Sequence, residues 1–505
     1  MRLLICLFVL CLHAYVADAA PDRTRPNIIL IMVDDMGYSD VGAYGGEIRT
    51  PNIDSLAEGG LRFTQFYNCG KCAETRATLL TGNYNQIIGT QNMESGATFA
   101  EVLRASGYRT LIAGKWHQKP LPTARGFDRY YGLADGCSNF FNPGVVAREG
   151  EGKPGRKRKS KRRWAIEDKV IMGYTNPDKD FYTTDAFTDY AIDRLDEYKG
   201  EDKPFLLYLP YTAPHYPLHA WPEDIARYRG TYKEGWDVIR ERRYKRMIEL
   251  GIIKDAHPMS PRERGVPAWD KLSDKQKDAE DLKMAVYAAM LDRVDQNLGR
   301  VFAKVKELGK WENTLILFLS DNGGCPEQPN TTPNVPPGPV EGYRTISVGW
   351  ANASNTPYRK FKSTDYEGGV ATPFIAYWPG VIEPGVTEQV GHIIDITATF
   401  MDITGAAYPA EIQGRATKPI AGKSLLPVFQ GKTREPHSVL YWQFGSAKAV
   451  RQGDWKLVRF GKAAWELYDM KADRTELNNV AGKHPEKAEE LRKLWEAWAT
   501  THRGR

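Results

Sequence analysis

The stretch Asn27–Val33 (NIILIMV) constrains this chain more than any other. It is apolar at every position after Asn27 and has the length of one strand. A strand with one wet face alternates polar and apolar residues, so an unbroken run needs cover on both faces. Pro204–Leu209 (PFLLYL) and Thr314–Leu319 (TLILFL) read the same way, and Tyr108–Ala113 and Pro373–Tyr377 read as further strands. Helical spacing lies between them. Thr98–Ser106 is predicted as a helix capped by Thr98, and a helix start at Thr50–Asp54 has Asn52 or Asp54 as its cap. Thr184–Tyr198 places Ala186, Phe187, Tyr190, Ala191 and Leu195 on one side. Asp281–Leu308 and His392–Ile403 complete the set. Strands alternating with helices predict an α/β fold, with a large, mostly parallel sheet sandwiched by helices. Ligands in such sheets bind beyond the C-terminal strand ends.

After about Gln430 the pattern changes to short strands at Val439–Phe444, Ala449–Arg451 and Lys456–Phe460, followed by an amphipathic helix over Pro485–Trp498. We therefore expect a catalytic α/β domain over 20–430 and a small C-terminal subdomain, antiparallel sheet plus helix, over 431–505. Residues 1–19 read as an export signal: Arg2, an apolar run from Leu3 to Val16, and the small-x-small site Ala17-Asp18-Ala19. The run is short for a bilayer span, so a periplasmic or secreted protein with no membrane segment after cleavage is expected. The net charge of +6 is local, because removing the seven basic residues of Arg156–Arg163 (RKRKSKRR) leaves −1. A near-neutral body argues against nucleic acid as partner. The Gly-, Lys- and Arg-rich segment 149–163 reads as a mobile loop; its basic run either attracts polyanions through its field or is simply a solvated loop, and both readings stand at this point. Cys69, Cys72, Cys137 and Cys325 lie outside the signal; they form no disulfide framework, and one bridge among them is possible.

Chemistry concentrates at strand ends. Asp34 and Asp35 follow the first apolar run, and Asp321-Asn322-Gly323-Gly324 follow another. Such oxygen donors suit a hard cation, calcium or magnesium. Acids are equally common as turn residues after strands, and both readings stand at this point. Cys72 precedes a helix with Arg76 one turn on, where a helix start and a guanidinium both favour an anion. A buried structural cysteine is the alternative. Lys115 and His117 lie in GKWH (114–117), His215 in APHYPLH (213–219), and Lys360 and Lys362 before Tyr366-Glu367-Gly368-Gly369.

Together these pieces resemble the type I sulfatases, the formylglycine-dependent branch of the alkaline-phosphatase superfamily. The matching segments are PNIILIMVDDMGYSDVGAYGG (26–46), CAETRATLLTG (72–82), GKWH, APHYPLH, LFLSDNGG (317–324), KSTDYEGGVATPFIAYWPG (362–380) and RQGDWKLV (451–458), in family order. NTPYRKFK (355–362) and MAVYAAMLDRVD (284–295) look like the arylsulfatase-type subgroup.

The resemblance implies that Cys72 is oxidised to formylglycine by a formylglycine-generating or sulfatase-maturing enzyme. One hydroxyl of the hydrated aldehyde would attack sulfur, and the other would later expel sulfate. Asp34, Asp35, Asp321 and Asn322 would hold the cation, calcium before magnesium. Arg76 would hold the nucleophile, Lys115 and Lys362 the sulfate oxygens, His215 the leaving oxygen, and His117 would take the closing proton. Lys360 is a weaker candidate than Lys362. One position departs from the pattern: Glu74 stands where the family has Pro or Ala. Either a maturase accepts Glu74, or Cys72 stays a thiol. Cys69 is a poorer candidate, since Ala73 stands where its arginine would be. Tyr441–Gly445, which replaces an acidic-His stretch of relatives, is expected to border the pocket. The implied substrate is a sulfated carbohydrate or smaller sulfate ester. Trp164, Trp350, Trp442 and Tyr441 are candidates for sugar stacking, with a place in the core as the alternative for most of the tryptophans, and His219 and Arg344 are weaker candidates for substrate contact. Asn330 and Asn352 fit the glycosylation pattern. A phosphatase or phosphonate hydrolase of the same fold, and a non-catalytic glycan binder, are the alternatives.

Overall fold

A computed structural model describes residues 25–501, so the export-signal reading of 1–19 lies outside the described residues. One eleven-stranded sheet dominates. Its strands are β1 (Asn27–Val33), β2 (Leu61–Tyr67), β3 (Arg109–Ala113), β4 (Arg129–Leu133), β5 (Arg163–Ile166), β6 (Lys169–Met172), β7 (Phe205–Pro210), β8 (Thr314–Ser320), β9 (Ala371–Tyr377), β10 (Gly385–Thr387) and β11 (Gly391–His392). The spatial order is β10-β2-β9-β8-β1-β7-β3-β4-β5-β6, with β11 beside β2. A two-residue ladder, β12 (Glu411–Ile412) with β13 (Arg415–Ala416), precedes a separate antiparallel sheet of β14 (Leu440–Phe444), β15 (Ala447–Gln452), β16 (Trp455–Arg459) and β17 (Glu466–Asp469).

β1 is buried at all seven positions and feeds two cores. Ile29, Ile31 and Val33 pack toward one face, with Phe187, Leu195 and Met290 of the Thr183–Glu197 and Asp274–Glu307 helices. Ile28, Leu30 and Met32 pack toward the other, with Leu79, Leu103 and Phe400 of the Cys72–Thr81, Phe99–Ala105 and Ile394–Thr404 helices. Each such side chain contributes roughly 1.5–3 kcal/mol by leaving water. The apolar run of β1 is thus the midline of a three-layer fold.

The sheet is mostly parallel, as expected, with antiparallel pairs on either side of the parallel centre. β1, β3, β4, β7 and β8 run together, but β9 is antiparallel to both β8 and β2. β2 (LRFTQFY) has no clean period, and its register against β9 shifts between Phe63 and Phe66. The Pro51–Glu58 helix starts from Thr50 with proline in its first turn, rather than from Asn52 or Asp54. Asp54 instead accepts from the Ala43 N–H at 2.7 Å, and Asn52 donates to Asp295 at 2.8 Å. Thr98 does cap its helix, in a reciprocal box with Glu101. The long helix begins at Asp274, where Ser273 and Gln276 cap each other.

Several surface readings change. Trp164, Trp350 and Trp442 are buried in the core and present no face to a sugar, while half-buried Tyr441 has one ring face stacked on Trp498. His219 is buried and donates to Gly342 O at 2.7 Å, while its Nδ1 accepts from the Phe140 N–H. Arg344 is spent on the carbonyls of Pro333 and Val335. Asn352 is buried and closed to glycosylation. All four described cysteines are free thiols. Segment 149–163 is anchored by the Gly155 N–H on Val340 O and by Arg163 on Asp135.

Candidate active site

β1 and β8 are parallel neighbours in register, Val33 opposite Ser320, so Asp34-Asp35 and Asp321-Asn322 leave the sheet side by side. β7 and β3 end at the same edge and carry His215 and Gly114-Lys115 just beyond it. Strand direction brings the remaining two. Because β9 runs against β8, its start lies at this edge, and the loop before it carries Lys362. β2 runs against β9 in turn, so its end delivers the chain to the Cys72–Thr81 helix.

The side chains meet in a nearly sealed cluster. Lys115 Nζ lies 2.5 Å from Asp34 Oδ2, and both side chains are fully buried. Lys362 Nζ donates to Asp35 Oδ1, which also accepts from Asn322 Nδ2 at 2.7 Å. Arg76 holds Asp321 Oδ2 through Nε and Nη2 at 3.1 and 2.8 Å, and its Nη1 donates to Lys115 O at 2.9 Å. His215 Nδ1 donates to Tyr216 O at 2.6 Å, leaving Nε2 3.4 Å from Asp35 Oδ2. Cys72 opens its helix, with ligand atoms of Cys72, Asp34 and Asp321 within 4.8 Å of one another. Asp35 and His117 have φ of 68° and 63°, a strained backbone that a packed site must hold in place.

Three carboxylates face three basic groups. Burial, with Asp321 behind it, pushes the Asp34 carboxyl up to about 8. Burial acts on Asp35 too, yet His215 and Lys362 hold its carboxyl well below the usual range. Lys115 and Lys362 are raised despite burial, by Asp34 and Asp35. Burial with Lys115 and Arg76 drives His117 well down, and burial drives His215 down to about 3. Burial also raises the Cys72 thiol. Both imidazoles are therefore neutral at ordinary pH, and both lysines are charged.

Asp34 Oδ1, Asp35 Oδ2 and Asn322 Oδ1 are buried oxygens with no hydrogen-bond partner. Buried acceptors left bare are rare and costly. Three of them on the residues expected to ligate a hard cation fit that ion by donor chemistry. An acid that keeps its proton when alone is also one that ionises on a metal.

The ten predicted site residues fall in this one region. Lys360 does not, since its ammonium pairs with Glu263 at 2.8 Å. Cys69 points away from the cluster, onto Thr78 Oγ1 at 3.4 Å. The rim was not legible in the sequence. Glu327 accepts from Lys71 at 2.7 Å and from Tyr216 OH at 2.6 Å, while Phe444 of the C-terminal sheet lies 5.4 Å from Lys71 Nζ. Only the adjacency of Lys71 to Cys72 and of Tyr216 to His215 hinted at it.

The sulfatase family model matches residues 26–406. The chain belongs to the sulfatase family. A second match, to the C-terminal region of N-sulphoglucosamine sulphohydrolase, covers 361–502. This sulfatase is 31% identical to the arylsulfatase of Klebsiella aerogenes over 83% of this chain and 96% of that one. It is 27% identical to the N-acetylglucosamine-6-O-sulfatase of Bacteroides thetaiotaomicron, over 98% and 90% respectively. The solved structure of Ps i-CgsB with k-i-k-neocarrahexaose shares its fold, with a TM-score of 0.67, 24% identity, and 95% and 94% coverage. The sulfatase is a sulfuric ester hydrolase with the α/β architecture of that family, and no described helix is long and apolar enough to cross a membrane.

Proposed function

We propose that this sulfatase hydrolyses sulfate esters on carbohydrates, with Cys72 matured to formylglycine and calcium bound at Asp34, Asp35, Asp321 and Asn322. The observation that carries this reading is the cluster of bare buried oxygens on three of those four residues beside Cys72. The relative named for a sulfated amino sugar supports the substrate class. Calcium there supplies Lewis acidity toward a sulfate oxygen and the nucleophile. A formylglycine hydrate at residue 72 supplies a nucleophilic hydroxyl that a thiol does not.

The chain's own residues divide the rest. With Asp34 ionised the three carboxylates balance the three basic groups, so an anionic ester meets no net negative charge from these residues. Arg76 is locked on Asp321 and the Lys115 carbonyl, which fixes its guanidinium beside residue 72 before substrate arrives. Lys115 and Lys362 are charged, dry and held by Asp34 and Asp35, so their fields on sulfate oxygens are little screened. Lys362 keeps its proton and is the standing donor toward a leaving oxygen. Neutral His215, anchored through Nδ1, orients Nε2 at the same place. His117 is neutral with Nδ1 unpartnered, as a base that collects the closing proton requires.

Glu74 is compatible with this reading. Burial raises its carboxyl pKa, and the Lys71 charge acts against that rise. The deciding test is peptide mass spectrometry of residue 72, on protein made in cells with a maturing system. A formylglycine mass together with calcium-dependent release of sulfate from sulfated sugars supports the proposal. An unmodified Cys72 beside a converted control sulfatase removes the nucleophile and favours the binding-protein alternative.

A further inference from the structure

Beside the active-site mouth lies a cavity of about 540 Å³, whose wall carries Lys153, Arg156, Lys157, Arg158 and Lys159 against the single carboxylate Glu341. The buried arginines Arg76, Arg125 and Arg243 all hold carboxylates. Lys153, Arg156, Arg158, Lys159 and Lys161 have no carboxylate partner within ion-pair distance among the described residues. Clustered like charges destabilise the compact state, so nothing in the fold itself gains from them.

The segment is held in place, and the residues that hold it reach the active site. The Thr331 hydroxyl donates to Arg156 O at 2.9 Å, and the Gly155 N–H donates to Val340 O at 2.9 Å. Lys157 Nζ donates to Tyr216 OH at 2.8 Å and lies 5.1 Å from the centre of its ring. Tyr216 packs on His215, with ring centres 4.1 Å apart, and donates to Glu327, which holds Lys71 beside Cys72. Lys157 is thus the hinge post between the catalytic cluster and the basic wall.

We infer that the Arg156–Lys161 segment is a second anion-binding subsite, which takes sulfate groups of a multiply sulfated glycan whose reacting ester sits at Cys72. The inference rests on the carbohydrate-sulfatase reading above and narrows its substrate class. Sulfate esters remain anionic at every working pH, and an extended chain bridges the two places by length alone. Arginine favours such groups through its planar fork of donors. A small monosulfated ester fills the catalytic cluster without reaching the wall.

The test uses the matured, full-length protein and the triple variant Arg156→Ser/Arg158→Ser/Lys159→Ser, which leaves Lys157 and the catalytic residues untouched. A second triple, Lys245→Ser/Lys271→Ser/Lys275→Ser, removes the same charge from exposed sites elsewhere. Binding of a fluorescent dextran sulfate oligosaccharide is read by anisotropy across a salt series, with unsulfated dextran as control. KM for a monosulfated aryl ester is measured alongside. The subsite variant is expected to lose about tenfold in affinity, from three partly screened contacts, with a shallower salt dependence and unchanged aryl-ester KM. Equal binding by the subsite variant and the wild type, or an equal loss in the control triple, overturns the inference. If no sulfate ester is turned over by the wild type, the carbohydrate-sulfatase reading fails, while the binding comparison still decides the subsite.

Discussion

Lys362 sits on the Asp35 carboxylate with both side chains nearly sealed from water, while Lys360, two residues earlier, turns away to Glu263. The intervening backbone explains the split, since Lys360 and Ser363 both have positive φ, which twists the loop between them. Lys362→Ala is expected to lower kcat by about 10²–10³-fold, as loss of one charge-stabilising donor does. Lys360→Ala is expected to stay within about threefold. Steady-state kinetics on one aryl sulfate separates them, and equal losses would show that the loop, rather than the ammonium, matters.

The bare oxygens of Asp34, Asp35 and Asn322 lead to a stability effect as well as a kinetic one. Calcium at a hundredfold excess over its Kd is expected to raise the unfolding free energy by about 2.7 kcal/mol. Differential scanning fluorimetry with and without chelator reads this as a shift in Tm. Asn322→Ala is expected to need more calcium for the same shift. A Tm indifferent to calcium would count against the site.

Two thiols near one helix start have different duties. Cys72→Ala is expected to abolish sulfate release, by on the order of 10⁴-fold or more, with the fold intact. Cys69→Ala removes only a buried contact with Thr78 and is expected to keep kcat within about threefold. Circular dichroism of both variants checks that the loss is chemical.

Lys456 ties the C-terminal sheet to the catalytic domain. Its ammonium lies 2.8 Å from both Glu367 and Glu476, with all three side chains fully buried. Glu367 follows the Lys362 loop, so this network also steadies one wall of the site. Lys456→Met leaves the buried Glu476 without its ion-pair partner and Glu367 with Arg474 at 3.6 Å, and is expected to cost about 3–5 kcal/mol in urea unfolding. A loss below about 1 kcal/mol would sink this account.

His219 supplies an acid-stability test away from the cluster. Burial holds its pKa down to about 4 in the folded protein, against 6.5 as the ordinary value. The unfolded chain binds the proton first as pH falls, so this contribution to stability is intact above about 6.5 and fades toward 4. At about 1.36 kcal/mol per unit, its full loss is about 3 kcal/mol. His219→Gln retains an acceptor for Phe140 and a donor for Gly342, and is expected to flatten the fall in Tm between pH 6.5 and 4. An unchanged slope would place the acid sensitivity elsewhere.

Strands with two dry faces were legible because burial leaves no choice of residue: β1, β7 and β8 declare themselves by composition alone. The Thr98 cap was legible for a similar reason, since its partner lies three residues away. β2 was not, because its Arg62, Thr64 and Gln65 follow no single period. Nor was the fate of the tryptophans, as an indole reads the same whether it meets a sugar or, like Trp350, the rings of Trp236 and Trp269.

The sequence by itself determined the layers, the acids at the strand ends and the order of the site motifs, because these depend on neighbours within a few residues. Only the tertiary structure decided that β9 runs against β8 and so brings the loop carrying Lys362 to Asp35. It alone joined Lys157 through Tyr216 and Glu327 to Lys71, across separations of up to 256 residues. Strand direction and long-range ion pairs leave no local period in a chain. They are set by which buried charges find each other once the sheet has closed over them.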